Sequence, residues 1–165
     1  MITFPKHYHW FMTKLDNSGR GSTREPLEVL GYLLKHAHLA LAGHTDAALD
    51  RFGITSRDLG VLRVIAGGEA KSQQDVAEIL GVDRTSMVAL LDALEQAGIV
   101  ARRPSVQDRR RNVLELTKSG RKLYVQAEEA SLAVEEDFVG VLWNKGSSDF
   151  RRALRSVVVP GATDR

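Results

Sequence analysis

The chain has 165 residues, 43% of them hydrophobic and 27% charged, and a net charge of +2; these are values of an ordinary soluble globular protein. Such a length suits one compact domain with helical extensions, enough to bury a core. The absence of cysteine excludes disulfides, cysteine-based zinc sites and thiol redox chemistry. No apolar run approaches the ~18 residues of a membrane span and the N-terminus lacks a secretory apolar core, so the expected location is the cytoplasm, with no membrane partner.

Residues 1–25 read as an N-terminal extension. Its aromatic cluster, His7, Tyr8, His9, Trp10 and Phe11, has the apolar surface of a docking helix, and the polar run from Asp16 to Thr23 reads as a linker. From Pro26 the apolar residues Leu27, Leu30, Leu33, Leu34, Ala37, Leu41, Ala48, Leu49 and Phe52 recur at threes and fours until Gly53, which predicts a helix far longer than the ~11-residue average. Part of its apolar face is therefore expected to meet something beyond its own small core. Ser56 is the expected N-cap of a helix over Arg57–Ala66, stopped by Gly67 and Gly68. Ser72 is the expected cap of the next, with Asp75 completing a capping box.

The stretch from Gln73 to Thr117 organises the remainder. Ala77 sits where one helix must pass close to another, and Gly81, four residues on, falls where a tight turn needs positive φ. Val76, Leu80, Val82, Met87, Leu90, Leu91 and Leu94 supply the inner faces of a helix-turn-helix, which leaves Arg84, Thr85, Ser86, Val88 and Ala89 outside. That outer face is the one a DNA major groove would meet. Gly98 ends the second helix, Ile99–Arg103 read as a strand broken by Pro104 and Ser105, and Asn112–Leu116 as its return, with Leu114 and Leu116 on one side. The hairpin between them carries Arg102, Arg103, Arg109, Arg110 and Arg111 against the single acid Asp108, a local basic patch on a nearly neutral protein that suits a polyanion.

Thr117 is placed to cap a long helix whose stripe is Leu123, Ala127, Ala130, Val134, Phe138, Val141 and Leu142, with Gly146 as its expected end. The acids from Glu128 to Asp137 read as its solvated face. Phe150, Ala153, Leu154, Val157 and Val158 then mark a short last helix.

In its wing this chain resembles the MarR family of transcriptional regulators: Asp108, Arg109, Arg110, then Leu116, Thr117 and Gly120 stand in the register of that family's Asp-x-Arg signature with its following Leu-Thr and Gly. The segment Arg84–Gly98, with Asp92, Leu94, Glu95 and Gly98 near its end, is also similar to the family's recognition helix, and the whole resemblance runs from about Leu27 to Val158. It implies a mainly α winged helix-turn-helix protein with a small β-hairpin wing. Residues 54–117 would form the DNA-binding lobe, and 26–53 and 118–160 the helices that pack a homodimer across a two-fold axis. The chain departs from many members at Val88, Ala89 and Ala93, where hydroxyl or basic side chains are usual; contacts to thymine methyls would then outweigh hydrogen bonds to bases.

The expected function is a sequence-specific, ligand-responsive repressor of double-stranded DNA. Arg84, Thr85 and Ser86 would enter the major groove, Arg109 and Arg110, with Asp108 orienting them and Arg111 beside them, would serve the wing, and Arg102 or Arg103 the adjoining phosphates. Tyr32, His36, His44 and Arg63 are the groups expected to hold a small aromatic or anionic ligand. No catalytic or cofactor motif is present. His36, His38 and His44 are not spaced as i, i+4, so no metal site is expected. The alternatives are a winged-helix protein-interaction module without DNA binding, and a metal-responsive sensor.

Overall fold

The computed structural model describes residues 29–68, 71–105, 112–141 and 146–159. The N-terminal extension with its aromatic cluster, the wing tip and Leu142 lie outside them. The chain divides into two units, residues 1–36 and 37–165, and the first helix, α1 (Leu30–Leu49), crosses from one to the other. A 3₁₀ turn, Asp50–Phe52, follows and is closed by Gly53 in the left-handed conformation, the stop expected from the sequence.

Helix α2 (Ser56–Ala66) begins one residue earlier than expected, with Thr55 as its cap. The Thr55 hydroxyl accepts the Asp58 N–H and the Asp58 carboxylate accepts the Thr55 N–H at 2.8 Å, so two orphan donors are satisfied reciprocally. Ser56 is instead the first helical residue, and its N–H, left without a partner inside the helix, donates to Asp46 Oδ1 at 2.6 Å. Helix α3 (Gln73–Leu80) has the expected box between Ser72 and Asp75. Its end is a Schellman closure: Gly81 (φ 62°) donates to Glu78 O and Val82 to Ala77 O. Helix α4 (Arg84–Gln96) ends the same way, with Gly98 (φ 68°) donating to Glu95 O and Ile99 to Leu94 O.

Strands β1 (Val100–Pro104) and β2 (Asn112–Leu116) pair antiparallel from Val100↔Leu116 to Pro104↔Asn112. Pro104 thus closes the ladder as its last rung where a break was expected; a proline is tolerated at a strand end, where it loses no interior hydrogen bond. Lys71 pairs with Leu114 on the other edge, its carbonyl accepting the Leu114 N–H at 2.8 Å, and so ties the hairpin to the entry of α3. Helix α5 (Lys118–Val139) is capped by Thr117 and ends at Gly140. Gly146 is the first residue of α6 (Gly146–Val158) and does not terminate α5, because the weaker helix former Gly140 intervenes.

Within residues 37–165, α2 packs on α3, α5 and β2, and α4 on α3 and β1. Leu59, Leu62, Val76, Met87, Leu91 and Val100 fill the centre, and Leu114 and Leu116 seal it from the hairpin. A fully buried side chain of this kind stabilises by about 1.5–3 kcal/mol. The terminal helices are different. Leu30, Leu33, Leu34 and Leu39 on α1, Val125 and Leu132 on α5, and Phe150, Val157 and Val158 on α6 are exposed. No helix among the described residues is long and apolar enough to cross a membrane.

Candidate nucleic-acid interface

The tight turn after α3 sets α4 so that Met87, Leu91 and Leu94 are buried while Arg84, Thr85, Val88, Ala89 and Asp92 are exposed. Arg84, Thr85 and Ser86 form the first turn. Asp83, which the sequence reading did not single out, caps it: Oδ1 accepts the Ser86 N–H at 2.9 Å and Oδ2 accepts the Ser86 hydroxyl at 2.6 Å. The hydroxyl of Ser86, then its N–H, hold the Asp83 carboxyl below the usual carboxylate range. While this bond lasts Ser86 can accept from a base edge but not donate to one. The signal was present as an Asp directly before the first turn.

A groove of about 930 Å³ runs past this helix start, bordered by Ser72 and Gln73 at the entry of α3, Gly81 and Val82 in the turn, Arg84, and Asn112 at the start of β2. The groove thus follows α3 and the turn to the start of α4, with the first residue of β2 at its border. Of the cations expected on the hairpin, Arg102 and Arg103 lie in β1, whereas Asp108, Arg109, Arg110 and Arg111 fall outside the described residues. Arg103 is exposed and makes no side-chain bond among the described residues. Arg102 is held on α4: Nη2 donates to Asp92 Oδ1 at 2.6 Å and Nη1 to Glu95 Oε2, and its backbone N–H reaches Glu95 Oε1 at 3.4 Å. The hydrogen bond to Asp92 pushes the guanidinium further above its ordinary value.

The four residues expected to hold a ligand fall into separate settings. Tyr32 and His36, one turn apart on α1, bring their ring centroids to 4.0 Å. His44 faces Phe138, centroids 6.4 Å apart. Arg63 on α2 donates through Nε to Glu128 Oε2 at 2.8 Å and through Nη2 to Ser131 Oγ at 3.0 Å, with Glu135 Oε1 at 3.7 Å; Arg151 of α6 takes the other Glu135 oxygen at 2.8 Å. Glu128 and Glu135 are therefore partly buried ion-pair partners and not part of a solvated face, since the stripe that packs on α2 carries them inward. Burial, then the Glu128 charge, push the Tyr124 hydroxyl up. No cluster of three metal-ligating side chains occurs among the described residues.

Residues 52–111 match the family model for the MarR family. Over 86 residues the chain is 36% identical to a Thauera aromatica protein assigned to regulation of the hcr operon, of which it spans about half, 52%. It is 31% identical over 128 residues to an HTH-type transcriptional repressor of Mycobacterium tuberculosis, covering 78% of this chain and 92% of that one. Among solved structures it is similar to CouR of Rhodococcus jostii. The form bound to p-coumaroyl-CoA superposes with a TM-score of 0.74 at 26% identity over 86% of this chain and all (100%) of that one. The form bound to a 23-mer DNA duplex gives 0.71 at 31% over 88% and 100%. The M. tuberculosis protein, itself named a MarR family protein, has been solved with p-aminosalicylic acid and with DNA. With a repressor of this kinship matched over almost its whole length, and with the helix-turn-helix and hairpin in place, the chain belongs to the MarR family of winged helix-turn-helix transcriptional regulators.

Proposed function

We propose that this regulator is a repressor that binds specific double-stranded DNA as a homodimer and leaves it when a small aromatic or anionic ligand binds. The observation that carries the DNA reading is the first turn of α4: Arg84 and Thr85 are exposed on a rigid, capped helix end beside an open groove. Arg84 is a donor suited to guanine or phosphate, and Val88 and Ala89 offer thymine methyls an apolar surface. The wing arginines Arg109, Arg110 and Arg111, oriented by Asp108, would lie on the flanking backbone or minor groove, as would Arg103. The DNA complexes of CouR and of the M. tuberculosis protein support this reading.

Selection from a random duplex pool, followed by anisotropy titration, tests it. Affinity is expected to fall steeply with salt, each neutralised phosphate adding about −0.9 to the log-log slope. Arg84→Ala should then sort its own role. A phosphate contact flattens the slope by ~1 for all sequences, whereas a base contact costs about 1–3 kcal/mol at one operator position. Salt-independent binding, or no sequence preference, would return the protein to the class of interaction modules.

The ligand part rests on Arg63 at the junction of α2 with α5 and on the p-coumaroyl-CoA and p-aminosalicylate complexes of the relatives. A carboxylate ligand at Arg63 would compete with Glu128 and loosen the junction of α2 with α5. Ligand binding can lower DNA affinity only by favouring a state whose two reading heads are wrongly spaced. Small aromatic acids are expected to raise the melting temperature and release bound operator together. Stabilisation without release would count against derepression by those compounds.

A further inference from the structure

We propose that Arg102 serves DNA binding as a positioning residue and not as a phosphate contact: it neutralises two carboxylates on the recognition helix and ties the root of the wing to them. The proposal rests on the DNA-binding reading above. Thr85, Val88, Ala89 and Asp92 recur at threes and fours and are all exposed, so Asp92 shares the face that would meet DNA. A bare carboxylate there would repel phosphates within a Debye length of about 8–10 Å. Glu95, one turn on, is 41% exposed. Arg102 is only 25% exposed and spends one terminal nitrogen on each acid, while Glu95 also accepts its backbone N–H.

A phosphate would have to take this guanidinium from both carboxylates and leave them unpaired in front of the DNA. Strand alternation turns Arg103 to the opposite side of β1. Arg103 is exposed and without a partner among the described residues, which makes it the better phosphate ligand. The bonds from Arg102 also make β1 continuous with α4, so that the helix and the wing meet DNA as one body.

A double-mutant cycle on operator affinity tests this, with R102Q on one side and the pair D92N and E95Q on the other, and with melting temperatures confirming that each variant is folded. R102Q is expected to weaken binding about tenfold, and D92N/E95Q to recover most of that loss in the R102Q background while changing the wild type less than about twofold; neighbours that act as a unit couple by this order. If the acid-to-amide pair strengthens binding equally in both backgrounds, or if R102Q has no effect, the proposal is overturned. Should R102Q not fold, R102M, which removes the charge but keeps a long side chain to pack, takes its place under the same criterion. Failure of the wild type to bind duplex DNA would instead defeat the DNA-binding reading itself.

Discussion

Gly120→Ala is expected to cost about 3 kcal/mol or more of stability, at the upper end of what overpacking a closed site does. A Cβ at Gly120 would stand 1.9 Å from Ile99 O and 2.8 Å from its carbonyl carbon. The corner cannot give way cheaply because it is bonded from both sides. Thr117 N–H donates to Ile99 O at 3.0 Å, its hydroxyl donates to Gly98 O at 2.7 Å and accepts Gly120 N–H at 2.9 Å, and Ser119 adds a bond to Gly98 O at 3.1 Å. Relief would require breaking the cap of α5 or the Schellman end of α4, and with it the placement of the recognition helix. Gly60→Ala is the control. Its Cβ would meet nothing nearer than Leu80 Cδ2 at 3.9 Å in a helix interior, so the helix preference of alanine should make it neutral or stabilising by up to ~1 kcal/mol. Urea unfolding of both variants checks the contrast; equal stability of Gly120→Ala and the wild type would show that the two backbones are not in contact.

The residues easiest to read in the sequence were those whose role is local. Gly81 and Gly98 follow the last apolar residues of their helices and take the positive φ that ends them. Ser72 and Thr117 cap because the N–H groups they accept from lie three residues away, and Leu114 and Leu116 are buried because strand alternation leaves no choice. What escaped was non-local. Arg102 looks like one more wing cation until the fold sets Asp92 and Glu95 beside it. Likewise Glu128 and Glu135 look like part of a solvated face, as Glu129, Glu136 and Asp137 are, until α2, some 65 residues earlier, delivers Arg63 to Glu128. Charge composition reports how many cations a segment carries, but only packing decides which remain free to meet a polyanion. Among the described residues from Gln73 to Leu116, that selection leaves Arg84 and Arg103.

Changing both Val157 and Val158 to aspartate is expected to convert the protein to a monomer and to weaken operator binding by about 10²–10⁴-fold, the advantage that joining two half-site contacts gives over one. The two valines are 78% and 74% exposed on α6, and no side chain of that helix is fully buried. Charge at these positions therefore costs the protomer little. In a two-fold interface the same change buries four unpaired carboxylates, two from each copy, which the apolar surface cannot solvate. The helix is strongly two-sided in sequence, with Phe150, Leu154, Val157 and Val158 against Arg151, Arg152 and Arg155, a pattern that makes sense only if the apolar side is covered. Sedimentation at micromolar concentration reads the assembly, and urea unfolding confirms that the variant protomer keeps its fold. A half-site duplex should bind wild type and variant alike, because α4 and the wing are untouched. If the variant still sediments as a dimer, α6 is not the interface. If it is monomeric yet binds the full operator as tightly as the wild type, the two reading heads are not coupled, and a ligand could not act by changing their spacing.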